Sequence, residues 1–296
     1  MAVYKSYEGK AEILALYDEQ LSRLGREFRD IYVGTSFGVA HVVETGNFNG
    51  IPLLLFHGGN STTACTLLTC GFLMRDFHIY AADITGRPGK SDEVSLSARN
   101  LDYGTWAGDI ITALGFDSMA CFAGSFGAGV LAKAMCVCPE KIKCAVLYVP
   151  AGISNAPAVK NASMMYPLMR YKATRDEEWL KKVFASLSAG KCEVSEDMLR
   201  TAGLSILHTK VKAAMPSNVP EKLMKNCKSP TLVMAAELDC LFPGRAVIVR
   251  ARKMLPFCRT YLLEDRGHLN ELTDKEKRII IGFLLKYSGR VDTDEG

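Results

Sequence analysis

Residues 118–138 read Ser-Met-Ala-Cys-Phe-Ala-Gly-Ser-Phe-Gly-Ala-Gly-Val-Leu-Ala-Lys-Ala-Met-Cys-Val-Cys, a short apolar strand that passes through Ser125 into a helix. A serine on so sharp a turn is exposed as a nucleophile, and the small residues Ala123 and Gly127 suit it because bulk there would strike the neighbouring strand and helix. The free N–H groups of the helix that begins after Ser125 point at any anion formed there. Such a serine needs a base and an acid that orients the base. His268 follows the strand pattern 259–264 as Gly267-His268, and Asp239 follows the apolar run that begins at Ser229. Upstream, the buried run 51–56 leads into His57-Gly58-Gly59, a turn that can supply a backbone N–H to an oxyanion.

Taken together, His57-Gly58-Gly59, the turn Asp83-x-x-Gly86-x-x-Gly89-x-Ser91, Ala123-Gly124-Ser125-Phe126-Gly127, Glu237-Leu238-Asp239 and Gly267-His268 resemble the α/β-hydrolase-fold serine hydrolases, in a carboxylesterase-like pattern covering roughly residues 30–288. The resemblance implies a nucleophile at Ser125, a base at His268 and an acid at Asp239, in the chain order of that fold. It also implies an oxyanion hole from the N–H groups of Gly59 and Phe126. Ala123 departs from the more usual glycine, which the turn tolerates if its φ is negative. Glu237, Glu264 and Asp265 also lie near strand ends. Asp239 is favoured because it sits on the loop just past its strand, whereas Glu237 is expected deeper and Asp265 in a solvated turn.

The elements that would hold these groups alternate along the chain. Strand patterns fall at 28–35, 38–45, 52–57, 78–84, 118–124, 142–149, 231–238 and 259–264, the first two joined as an antiparallel edge hairpin. Helical patterns lie between them at about 61–74, 102–115, 126–138, 244–255 and 270–287. The fold class is α/β, with a mostly parallel, doubly covered sheet.

Between Ala151 and Lys228 no strand pattern occurs, and the segment is helical, polar and rich in methionine. It leaves the sheet on the edge where parallel strands end, the edge that carries Ser125, so an inserted helical lid is expected at 151–228, with the core at 1–150 and 229–290. Met165, Tyr166 and Met169 are candidates to line the substrate pocket; the alternative is that they pack one lid helix on another.

Other readings of these motifs fail on spacing. Gly124-Ser-Phe-Gly-Ala-Gly129 lacks the Gly-x-Gly-x-x-Gly order of a dinucleotide loop, and the next strand, 143–150, carries no carboxylate for a ribose. Gly89-Lys90-Ser91 ends like a phosphate-binding loop, but Ile84 stands where that loop needs glycine and Pro88 has no N–H. Asp83, Gly86 and Gly89 read as turn chemistry of a surface loop beside the site. His41, His78 and His208 read as structural or exposed, and His57 as a brace for the oxyanion turn.

The composition, 48% hydrophobic and 23% charged over 296 residues, suits a globular enzyme with its own core. The net charge of +4 is spread without a basic block, which argues against nucleic acid. No signal-like stretch and no run of about 18 apolar residues is present, so a cytoplasmic location without membrane partners is expected. The ten cysteines, without a zinc spacing, read as reduced thiols, and residues 291–296 as a disordered tail. No metal or organic cofactor is implied. The partner expected is a small-molecule ester or related acyl compound, although acyl transfer, carbon–carbon bond hydrolysis and ligand sensing also use this scaffold.

Overall fold

A computed structural model describes residues 3–157, 162–210 and 214–289. The expected tail at 291–296 lies outside the described residues. Eight strands form one sheet: β1 (Phe28–Thr35), β2 (Gly38–Gly46), β3 (Ile51–Phe56), β4 (Phe77–Ala82), β5 (Met119–Gly124), β6 (Ile142–Tyr148), β7 (Thr231–Ala236) and β8 (Cys258–Leu263). Their order is β1-β2-β4-β3-β5-β6-β7-β8, with β2 antiparallel to both neighbours and parallel pairing from β4 to β8. The short apolar runs are buried from both sides: Leu53 to Phe56 and Val233 to Ala236 are almost wholly inaccessible.

Two apolar layers enclose the sheet. On one face α3 (Asp102–Ala113), α4 (Ser125–Val137) and α9 (Gly244–Met254) bury Trp106, Leu131 and Val247 with Leu54, Phe56 and Val233. On the other, α1 (Tyr7–Ser22), α2 (Thr63–Thr69) and α10 (Asp274–Ser288) bury Tyr17, Leu67 and Phe283 with Leu53, Leu55 and Phe122. Helix α1 was not legible as a helix; Ser6 caps it by accepting from the Gly9 N–H. It fastens the N-terminal segment to distant parts of the chain. Tyr4 bonds to both N–H and C=O of Gly89, Lys5 N–H to the His208 carbonyl, and Gln20 to Thr201.

Between β6 and β7 lie α5 (Ala162–Thr174), α6 (Glu177–Ser188), α7 (Glu196–His208) and the short α8 (Glu221–Met224). The first three share a small core of their own, Tyr171, Leu180, Phe184 and Ala202, against which Leu269 packs. The helix expected at 270–287 starts at Asp274, because Thr273 and Glu276 form a reciprocal capping box there and residues 270–273 remain in the preceding loop.

Site-bearing elements approach closely at Gly127, where an added Cβ would stand 2.6 Å from the His57 carbonyl oxygen and 2.7 Å from that of Phe56. Both contacts are with backbone, which cannot swing aside. Gly127→Ala is expected to destabilise the fold by about 1–3 kcal/mol, because β3 must shift to admit the methyl group. Thermal unfolding checks this; a melting temperature equal to that of the unaltered chain contradicts it.

Candidate active site

The strand register brings the site together. Phe56 pairs with Ala123, Gly124 with Tyr148, Tyr148 with Met234 and Ala236 with Leu263, so the carboxyl ends of β3, β5, β6, β7 and β8 are level on one edge. The loops after them carry His57–Gly59, Ser125, Asp239 and His268. Ser125 has φ 51°, a left-handed backbone that a non-glycine residue rarely adopts, while Ala123 keeps a negative φ. The Ser125 carbonyl accepts from Ala151 N–H at 3.1 Å.

Ser125 Oγ lies 2.9 Å from His268 Nε2, and His268 Nδ1 lies 2.8 Å from Asp239 Oδ2. Asp239 and His268 are buried, at 3% and 6% exposure, so the pair is shielded from competing water. The other Asp239 oxygen accepts from the N–H groups of Leu241 at 2.7 Å and Phe242 at 2.9 Å, which fixes the carboxylate plane. Asp239 accepts a hydrogen bond from Nδ1–H, which leaves Nε2 as the acceptor toward the serine hydroxyl. Phe242 supports the ring edge-on at 5.3 Å between centroids.

Of the other carboxylates, Glu237 does not lie deeper than Asp239. It is turned outward, pairing with Arg245 at 2.5 Å and accepting from Asp265 N–H at 3.1 Å, because the strand ends at Ala236 and the chain bends. Asp265 is an exposed turn residue paired with Lys191.

The turn at Gly58-Gly59 abuts the serine. The Cβ direction of Gly58 points at Ser125 Cβ, 3.9 Å away, and that of Gly59 at Phe126 Cβ, 3.4 Å away. His57 braces the turn as expected: Nδ1 lies 2.8 Å from the Gly58 carbonyl and Nε2 accepts from Ile84 N–H at 3.0 Å. Burial holds its pKa below the ordinary histidine value.

The loop after β4 is not at the surface. Ile84 to Gly89 are buried because Tyr4 covers Gly89 and because Asp83 accepts from Lys90 N–H and His41. At Gly89, φ 152°, a Cβ would meet the Asp83 carboxyl group at 2.5 Å. His41 bridges Asp83 at 2.8 Å and Asp30 at 2.7 Å. Burial works against its charge, but the bonds to the two carboxylates outweigh it and raise its pKa. Burial likewise opposes the Asp83 carboxylate, and the bond to His41 outweighs that and lowers its pKa.

The His41 contribution to stability is therefore complete below about pH 6.5 and lost as pH rises through its folded value. The Asp83 contribution is present above about pH 4 and lost as pH falls through its folded value. The difference in melting temperature between the unaltered chain and His41→Asn is expected to be larger at pH 5.5 than at pH 9; a difference that does not change with pH contradicts the charged bridge.

Two supports of the His268 loop escaped sequence reading. Arg266 donates to the buried Glu276 at 2.8 Å, and Tyr148 donates to Asn270, whose amide in turn donates to the Gly267 carbonyl. The Thr273-x-x-Glu276 capping box was the available signal for the first; the second had none. Met165, Tyr166 and Met169, the residues expected to line the pocket, are 53%, 62% and 64% exposed on α5. Tyr166 stacks edge-on against Trp179.

All ten cysteines are free. Among the described residues, no group of three or more His, Cys, Asp or Glu side chains could hold a metal ion, and no helix is long and apolar enough to cross a membrane.

No family model matches the chain. It is 23% identical over 288 residues to carboxylesterase YbfK of Bacillus subtilis, covering 95% of this chain and 96% of that one. The solved structure of carboxylesterase CesB (YbfK) from Bacillus subtilis superposes with a TM-score of 0.77 at 21% identity, covering 95% of this chain and 98% of that one. Naproxen esterase (carboxylesterase NP) from Bacillus subtilis does so with a TM-score of 0.78 at 18% identity, over 96% and 100%. The chain has the α/β-hydrolase fold and is similar to carboxylesterases over almost its whole length.

Proposed function

We propose that this α/β-hydrolase-fold chain is a serine carboxylesterase that cleaves small-molecule esters through an acyl-enzyme. The observation that carries the reading is the unbroken hydrogen-bond chain Ser125 Oγ–His268 Nε2, His268 Nδ1–Asp239 Oδ2, at 2.9 and 2.8 Å. Ser125 attacks the ester carbonyl as His268 takes its proton, and Asp239 holds the imidazole tautomer and stabilises the imidazolium. The N–H groups of Phe126 and Gly59 receive the oxyanion. Each such donor is worth on the order of 100-fold or more in rate when it is held in place beforehand. His268 returns the proton to the leaving alcohol. Water, deprotonated by His268, then attacks the acyl group and releases the acid.

The segment from α5 to α7 is the lid of this site. It leaves the sheet after Val149, beside the serine, and its small core packs on Leu269, the residue next to His268. The exposed Met165, Tyr166 and Met169 belong to its outer rim, where a long acyl chain arrives, and a short one does not reach them.

A panel of p-nitrophenyl esters from acetate to octanoate, run with the purified chain, tests the reading. Turnover with a stoichiometric burst of p-nitrophenol is expected if acyl-enzyme forms. Absence of turnover across the panel, together with no covalent labelling by a fluorophosphonate, would remove it.

A further inference from the structure

Arg87 is a buried cation without an anion. It is 9% exposed, and among the described residues no carboxylate pairs with it. Its guanidinium lies 3.8 Å from the centre of the Phe126 ring, it shares a hydrogen bond with Tyr103, and it donates to the Ala214 carbonyl at 3.5 Å. The ring and the phenol supply electron density but no charge. Burying a guanidinium with only neutral partners is unfavourable relative to leaving it in water. The buried carboxylates outside the catalytic candidates are each matched: Asp83 by His41, Glu44 by His78 and Glu276 by Arg266. The buried Lys133 serves as a carbonyl clasp on Ala98 and Asn100.

The location gives the charge a use. Phe126 is the residue after Ser125, and its Cβ lies against the turn at Gly59. His57, at the root of that turn, feels the charge of Arg87, which opposes its protonation. The cation therefore lies on the ring of Phe126, one of the two residues whose N–H groups are assigned to the oxyanion.

We infer that Arg87 is a specificity-determining residue that receives a carboxylate carried by the acyl part of the substrate, so that the favoured substrates are half-esters of short dicarboxylic acids. This rests on the carboxylesterase reading of Ser125. A planar fork of N–H donors takes a carboxylate by two parallel bonds, which a lysine cannot reproduce. At a guanidinium only 9% exposed the pairing is strong, and a neutral ester leaves the cation unmatched.

Two measurements test it. The first compares kcat/KM for monomethyl adipate with that for its neutral counterpart methyl hexanoate, by proton release. The unaltered chain is expected to favour the half-ester by about 10-fold or more, and Arg87→Gln to bring the ratio near one, with Arg87→Lys between. The same ratio in the unaltered chain and Arg87→Gln, or no preference in the unaltered chain, overturns the inference. A loss in Arg87→Gln that is equal on both esters does so too, since it would place Arg87 in general support of the oxyanion. The second measurement needs no turnover: calorimetric binding of adipate to Ser125→Ala, with and without Arg87→Gln. Binding that Arg87→Gln weakens by about 10-fold or more upholds the anion site even if no ester is cleaved, in which case only the esterase reading fails. No adipate binding, or binding indifferent to Arg87, overturns the site while leaving the esterase reading to its own assay.

Discussion

Ser125→Ala is expected to lower kcat for p-nitrophenyl acetate by about 10⁴ to 10⁶, to the residual rate that oxyanion donors and binding can support without a nucleophile. The lost oxygen is the atom that bonds to the acyl carbon, so no neighbour can take its place. Stability should change little. The hydroxyl's hydrogen-bond partner, His268, keeps Asp239, and alanine occupies the φ of 51° no more easily than serine. A contrasting variant reads that backbone strain directly. Ser125→Gly is just as inactive but is expected to raise stability by about 1 kcal/mol, since glycine adopts positive φ without a Cβ clash. Kinetics and thermal unfolding on the pair separate chemistry from fold. Retained esterase turnover in either variant contradicts the assignment.

Asp239→Asn is expected to lower kcat by about 10⁴ with the fold preserved. The geometry gives the reason. Leu241 and Phe242 donate N–H to Asp239 Oδ1 at 2.7 and 2.9 Å, so an asparagine keeps its carbonyl oxygen there and turns its amide NH₂ toward His268. Nδ1 must then accept, which puts the ring proton on Nε2, facing Ser125. Such an imidazole cannot take the serine proton. The defect should appear in kcat with little change in KM, because Asp239 touches no substrate. A loss below about 10-fold would mean that His268 is oriented without this carboxylate.

The core was legible because its signal is local. Buried parallel strands are short apolar runs, and those ending at Phe56, Gly124, Ala236 and Leu263 lie within two residues of the boundaries read from the chain. Once such strands are level, the residues just beyond them must meet, which is why Ser125, Asp239 and His268 could be named in advance. What stayed hidden depends on long-range packing. Helix α1 carries Glu8, Lys10, Glu12, Asp18 and Glu19 between its apolar residues, and only docking on α2 and α7 reveals why Tyr17 and Leu21 are buried. The burial of the loop at 84–89 depends on Tyr4, more than eighty positions away. The exposure of Met165, Tyr166 and Met169 could not be read because methionine content reports flexibility, not which face of a helix meets a pocket. Arg87 gave no signal at all, since an arginine in a turn is ordinarily solvated.

The central claim is that Ser125 is the nucleophile, and covalent capture tests it most directly. The unaltered chain is treated with a fluorophosphonate ester, weighed intact and mapped by peptide mass spectrometry. A single adduct on Ser125, absent from Ser125→Ala and strongly slowed in Asp239→Asn, is the predicted result. An adduct on another residue, or an unmodified Ser125 in a preparation that hydrolyses esters, would contradict it.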